Sequence, residues 1–138
     1  MRVVIDTNIV VSGVLTRRGD ESRLLNLAFD QKFTLIVSET ILDEYDDVLH
    51  RPELKLSSDE VATVLAAVRH VCERVEPSEA VTASKDEADN RFLEWAEAGA
   101  ADYLVTGNKR HFPTKWKTTR IVNARQFLEL VSPDADPR

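Results

Sequence analysis

The chain has a single cysteine, Cys72, in 138 residues, which excludes an internal disulfide framework and any paired-thiol metal or redox motif. Long apolar runs are missing too. No stretch approaches the ~18 residues that span a bilayer, and the opening MRVVIDT lacks the charged-then-apolar layout of a secretion signal. A cytoplasmic protein is therefore expected. His50, His70 and His111 show neither HxxxH nor HExxH spacing, which argues against a zinc hydrolase. There is no GxxxxGK[ST] loop, no GxGxxG turn after a strand and no GxSxG elbow. Nucleotide-cradling and serine-nucleophile chemistries thus lose their signatures.

What is present is ordinary for a globular chain: 43% hydrophobic and 30% charged residues. The length suits one compact domain that needs no covalent staples. A net charge of −6 argues at first against a nucleic-acid partner, because phosphate backbones favour basic surfaces. The distribution changes that reading. Residues 103–128 contain Lys109, Arg110, Lys115, Lys117, Arg120 and Arg125 and no acid, so that segment carries +6 and the remainder −12. Such a patch suits a bound anion; a solvated face that balances neighbouring acids is the alternative.

Residues 2–6, with VVI, read as a buried strand, and Asn8 can begin a helix to about Thr16. A second helix is expected over 21–31, with Leu24, Leu25, Leu27 and Ala28 inward, before the strand FTLIV at 33–37. Ser38 can cap a helix to about His50, before Pro52 stops it, and Ser57 or Ser58 opens a long helix to about Arg74. Cys72 falls on the apolar stripe of that helix with Val61, Val64, Leu65, Val68, Val71 and Val75, so a buried structural thiol is expected. Ser84 and Glu87 match a capping box for a helix to about Gly99. YLVT at 103–106 reads as a strand with a Gly107–Asn108 turn, followed by a short strand at 120–122, a helix at 124–131 and a frayed tail, SPDADPR. This alternation predicts an α/β fold, a three-layer α/β/α sandwich around a central, mainly parallel sheet. In such sheets the site lies beyond the carboxyl ends of the strands, which singles out Asp6 and Asn108.

The acids need closer reading. Asp6 ends an apolar strand; it can serve a site or only cap the next helix, although Asn8 is the better-placed cap. In SETILDEYDDVLHR the core stripe is Ile41, Leu42, Tyr45, Val48 and Leu49. At ~100° per residue Asp43 and Asp47 point away from it, while Glu44 and Asp46 border its two edges. Helical geometry leaves that tie open. Asp89 lies inside the apolar sector formed by Ala88, Phe92, Leu93, Trp95 and Ala96, where an acid is rarely buried unless paired with a cation or well hydrogen-bonded. A structural ion pair to an arginine is the alternative to a site. Two carboxylates ~4 Å apart repel by roughly 4 kcal/mol at an effective dielectric near 20. Gathered oxygen ligands therefore point to Mg²⁺ or Mn²⁺, which typically serve phosphoryl chemistry. Hydrolases with an aspartyl nucleophile after the first strand want a second aspartate two residues on, where this chain has Asn8.

VVIDTNIVVSGVL (3–15), SETILDEYDDVLHRPEL (38–54), DEADNRFLEWAEAGAADYLVTGNKRHFP (86–113) and IVNARQFLELV (121–131), in that order, resemble the PIN domain. Within it they are most similar to the bacterial and archaeal group of VapC-like toxin components of toxin–antitoxin pairs. The ordered set implies a single PIN domain over 1–132 with a frayed tail at 133–138. It also implies cleavage of single-stranded RNA segments dependent on Mg²⁺ or Mn²⁺, with in-line attack by water. The family's first acid falls on Asp6, its helix acid on Glu44 and the acid of its D-x-x-[IF]-L-x-x-A helix on Asp89. These three are the implied metal ligands and, with Asn108, the implied catalytic set. Thr7, Asn8 and Thr106 match positions that support the acids or approach the scissile phosphate. Lys109 and Arg110, with His111 and Lys115, would grip neighbouring phosphates; Trp116 can stack a base or serve the interior.

One departure is Asn108. Most PIN domains have aspartate there, in T-x-D, whereas this chain reads TGN, which implies a weaker second cation and slower turnover or none. Asp102 is no substitute: it begins the strand that Thr106 ends, four residues or ~13 Å away. Asp86, on the polar side of its helix, supports the site from behind at most. The resemblance further implies a homodimer, RNA as substrate and a cognate antitoxin whose segment covers the acidic pocket, with no membrane partner. A catalytically weak or inactive PIN-like module that binds RNA or protein is the competing class, and a phosphatase on a similar sheet is a third.

Overall fold

A β-branched run buried on both faces makes the centre of the sheet. Strand β1 (Arg2–Ile5) places Val3, Val4 and Ile5 wholly out of solvent, as expected of a parallel strand covered by helices on both sides. The computed structural model describes residues 1–16, 18–76 and 87–131, and the side chains of residues 87–89, 91 and 111 lie outside the described part. The Ser84–Glu87 capping box and the terminal tail therefore lie outside the described residues.

After β1 come α1 (Thr7–Leu15), α2 (Asp20–Phe29), β2 (Thr34–Val37), α3 (Glu39–Leu49), α4 (Ser58–Val71) and β3 (Glu73–Arg74). The second half adds α5 (Glu87–Ala98), β4 (Tyr103–Val105), β5 (Lys115–Trp116), β6 (Thr119–Val122) and α6 (Ala124–Val131). The strands form one sheet in the order β3-β2-β1-β4-β6-β5. All neighbours are parallel except β5, which runs antiparallel to β6. Helix α5 packs on β1, β4 and β2, whereas α1, α2, α3, α4 and α6 pack on one another. A Cβ on Gly99, just after α5, would touch Ile36, so Ile36 faces the α5 layer. By strand alternation Leu35 and Val37 face the other helical layer. The three-layer architecture is present.

Local rules explain most boundaries. Ser38 caps α3 by accepting the Ile41 N–H at 3.3 Å. Ser57 and Glu60 form a reciprocal capping box at α4, a pattern the sequence reading passed over. The helix expected to reach Arg74 instead ends at Val71, because Glu73 and Arg74 pair with Ile36 and Val37 as an edge strand. Cys72 is thus the C-cap of α4 rather than part of its stripe, and it is half-buried. Its Sγ–H donates to the Arg69 carbonyl at 3.7 Å, and burial pushes the thiol above its ordinary titration range. Strand β5 was also not expected: it is two residues long, and its hairpin turns on Lys117 at a φ of 53° rather than on Asn-Gly. Among the described residues, no helix is long and apolar enough to cross a membrane.

Helix α1 follows β1 directly, so its packing decides how the end of β1 is held. Gly13 allows α1 to approach α2: a Cβ there would lie 2.5 Å from Leu25 Cδ1 and 2.9 Å from the Glu21 carbonyl oxygen. The carbonyl belongs to backbone and cannot step aside. Gly13→Ala should therefore lose more to overpacking, about 1–3 kcal/mol, than it gains in helix propensity. The expected result is a melting temperature several degrees lower, read by circular dichroism; an unchanged or raised value would contradict the close α1–α2 contact.

Candidate active site

Three parallel strands, β1, β4 and β6, end level with one another, with Ile5 opposite Val105 and Val105 opposite Val122. The ladder runs one residue further. The Asp6 N–H donates to the Val105 carbonyl and the Thr106 N–H to the Val122 carbonyl, each at 2.9 Å. Between β1 and β4 the chain order reverses direction across the sheet, so Asp6 and Thr106 flank the crevice where α/β sheets bind ligands. Backbone pairing alone makes them neighbours. The Thr106 hydroxyl then donates to Asp6 Oδ2 at 2.7 Å and accepts the Asn108 N–H at 3.0 Å, closing the TGN turn.

Asp6 also caps α1. Its Oδ1 receives the Asn8 N–H at 3.4 Å and its carbonyl receives those of Ile9 and Val10. The sequence reading gave that cap to Asn8; the ladder overrides it, because it holds Asp6 extended and leaves Thr7 as the first helical residue. Asn8 itself is exposed. Asp6 is 6% exposed and Thr7 5%, so both lie behind the surface.

Glu44 arrives from α3, whose buried residues Ile41, Leu42, Tyr45 and Leu49 fix its rotation. The Thr7 hydroxyl donates to Glu44 Oε2. On the opposite edge of the helix Asp46 pairs with His50 Nδ1 at 2.7 Å, half-exposed. The tie left by helical periodicity is thereby broken geometrically: Glu44 stands beside Asp6 and Asp46 does not. Asp43 and Asp47 face solvent, as expected.

Asp89 is in the first turn of α5, and its side chain lies outside the described residues. Its level along the fold follows from the backbone. The Gly99 carbonyl accepts the Arg2 Nε–H at 2.6 Å, which puts the far end of α5 at the start of β1. Ten residues earlier, at ~1.5 Å each, position 89 is ~15 Å back along the helix. Residues 2 to 6 of β1 cover a similar ~13 Å in the same direction. The start of α5 and the end of β1 thus occupy the same edge of the sheet.

The basic segment does not stay together. Lys109 and Arg110 follow Asn108 in a 3-10 turn, Lys109–His111, at the site edge. Lys109 Nζ donates to Gln126 Oε1 at 3.0 Å, and Gln126 and Asn123 cap the start of α6 reciprocally. Lys115, however, pairs with Arg120, which is level with Tyr103 at the opposite end of β4. It lies three strands from β1, ~14 Å sideways, and ~10 Å back along the strands. The structure does not bring Lys115 or Trp116 to Asp6. Trp116 packs partly buried against the core with Lys117 Nζ 5.9 Å from its ring. Asp102 also sits at that far end, accepting the Arg2 N–H at 2.8 Å.

A family model described as PIN domain matches residues 2–110. The chain belongs to the PIN-domain family. It is also similar to Uncharacterized protein MJ1680 of Methanocaldococcus jannaschii, at 29% identity over 112 residues, covering 79% of this chain and 72% of that protein. PIN domains are generally nucleases, and they generally use divalent metal ions. The residues here suit such an ion in part. Among the described residues no lysine or arginine pairs with Asp6, and the donors beside it are carboxylate oxygens suited to a hard cation. No group of three His, Cys, Asp or Glu side chains gathers among the described residues, of which the Asp89 side chain is not one. Sequence reasoning passed over Tyr45 as core filling; its hydroxyl reaches the Ile5 carbonyl.

Burial pushes the Asp6 carboxyl above its ordinary range, with Thr106 opposing and Glu44 adding to the rise. A group whose pKa is raised by folding contributes stability when protonated and loses it as pH rises through its folded titration. In metal-free protein Asp6→Asn should therefore raise the melting temperature by a few degrees at neutral pH. That advantage should shrink as pH falls through the Asp6 titration. Calorimetry in EDTA checks this; a destabilised Asp6→Asn at every pH would contradict it.

Proposed function

We propose that this PIN domain is a divalent-metal-dependent endoribonuclease and the toxin component of a toxin–antitoxin pair. The observation that carries the reading is the buried Asp6 carboxylate held beside Glu44 at the crevice of the sheet, each fixed by a threonine hydroxyl. Asp6, Glu44 and Asp89 are the residues that would hold Mg²⁺ or Mn²⁺. The ion would supply charge neutralisation at phosphorus and a lowered pKa for water.

The protein's own part is positional. Thr106 orients Asp6, and Thr7 orients Glu44, so that neither carboxylate has to reorganise on binding. Lys109 and Arg110 stand next in the chain to Asn108, where phosphates of a single-stranded RNA would lie. Asn8, two residues after Asp6, and Asn108, whose backbone N–H is bonded to Thr106, are both exposed and would contact the RNA backbone. The ordered likeness to toxin components supports an antitoxin partner, a homodimer and a cytoplasmic site of action, with no membrane role.

Purified protein with Mn²⁺ or Mg²⁺ should cleave single-stranded RNA, and EDTA should stop it. Asp6→Asn, Glu44→Gln and Asp89→Asn should each abolish the metal-dependent rate with the fold intact. Thr106→Val, which removes only a supporting hydroxyl, should cost ~10–100-fold. Cleavage unaffected by EDTA, or full activity in Asp89→Asn, would overturn the reading, and release of inorganic phosphate from simple esters would point instead to a phosphatase. Asn108 favours a second reading, a binding module with weak or lost chemistry. Asn108→Asp decides its weight: a faster nuclease, measured as turnover at saturating Mn²⁺, is expected if the amide limits the centre. RNA retained uncut by both proteins would establish the binding module.

A further inference from the structure

Beside the acids stands a buried polar group that the proposed chemistry does not use, the hydroxyl of Tyr45. Its side chain is 1% exposed, and its hydroxyl donates to the Ile5 carbonyl. Ile5 is the residue before Asp6, and Tyr45 is the residue after Glu44. On the other side of Asp6, the Thr7 hydroxyl donates to Glu44. Two hydrogen bonds, from 45 to 5 and from 7 to 44, therefore bracket both carboxylates. Phenylalanine would fill the same core volume without burying a polar atom, so packing alone does not account for the hydroxyl.

Beyond these two bonds, α3 is held by a half-exposed ion pair of Glu39 with Arg74 at its first residue and, along the rest of its length, by apolar contacts through Ile41, Leu42 and Leu49. Apolar contacts resist separation, but they are non-directional and set register poorly. Register matters here. A slip of one residue along a helix moves a side chain ~1.5 Å and turns it ~100°, which would carry Glu44 off Asp6. A directional bond to the strand backbone removes that freedom.

We infer that Tyr45 is a positioning residue for the metal centre, locking α3 to the end of β1 so that Glu44 and Asp6 face one divalent ion. It touches neither ion nor RNA. The inference rests on the metal-dependent reading above. The probe is Mn²⁺ alone, its affinity measured by electron paramagnetic resonance of the free ion, alongside thermal melting. Tyr45→Phe should weaken Mn²⁺ binding ~10-fold or more. In a Glu44→Gln background the same substitution should change affinity by less than about twofold, because the residue acts through Glu44. Phe127→Leu, in the cluster with Phe33 and Tyr103, should lower the melting temperature without touching Mn²⁺ affinity.

If Tyr45→Phe does not fold, para-aminophenylalanine and para-methylphenylalanine at position 45 replace it, equal in size but with and without a donor. The donor-bearing side chain should restore affinity and the methyl one should not. Equal Mn²⁺ affinity with and without the donor would overturn the positioning role. Absence of Mn²⁺ binding by the unsubstituted protein would overturn the metal-dependent reading itself, and the two failures are told apart by that first titration.

Discussion

A carboxylate buried at the end of a buried strand is the constraint from which the rest of this molecule is arranged. Asp6 cannot leave: its N–H is a rung of the β1–β4 ladder and its carbonyl and Oδ1 begin α1. Taking an ionised carboxylate out of water is costly unless polar groups replace the solvent. Among the described residues the replacements are the Thr106 hydroxyl and the backbone N–H groups of Asn8 and Thr7, and a second carboxylate stands close enough to add to the strain. A fold optimised only for its own stability would place a neutral cap there. Asp6 is instead kept where a cation would relieve it, which ties the electrostatics of folding to those of the proposed chemistry.

The supporting groups follow from that constraint. Threonine occurs at both contact positions, 7 and 106, and both residues are buried. Each hydroxyl offers one donor to a carboxylate, and Thr106 also uses its acceptor on the Asn108 N–H. Buried in this way, the two hydroxyls are turned towards the acids. The cations sort by the same topology. Lys109 and Arg110 remain at the site edge because they follow β4, whereas the β5–β6 hairpin folds back and carries Lys115, Trp116 and Lys117 to the other end.

Much of this was legible beforehand, for identifiable reasons. VVI and YLVT announce buried parallel strands because both faces are covered, and the rule that sites lie past such strands pointed to Asp6. Periodicity narrowed α3 to Glu44 and Asp46 and could go no further. The choice is made by which side α1 lies on, and that is tertiary information. The cap at Asp6 was misassigned because a good capping residue, Asn8, competes with it in sequence, while the ladder that decides the matter connects residues 6 and 105. Strands β3 and β5 were missed because two residues leave no period to read. Tyr45 was counted correctly as core, but a one-letter pattern cannot show that its hydroxyl has a destination.

The TGN turn has an effect beyond closing a loop. One hydroxyl joins the Asn108 backbone to the Asp6 carboxylate, so residues 107–111 and the acidic centre share a mechanical link only two hydrogen bonds long. Lys109 and Arg110 ride on that same segment. Were a polyanion to draw them outward, the pull would reach the acid, and a charge that steadied the acid would steady the loop. By linkage each event changes the free energy of the other by the same amount, which makes the turn a spring between grip and charge.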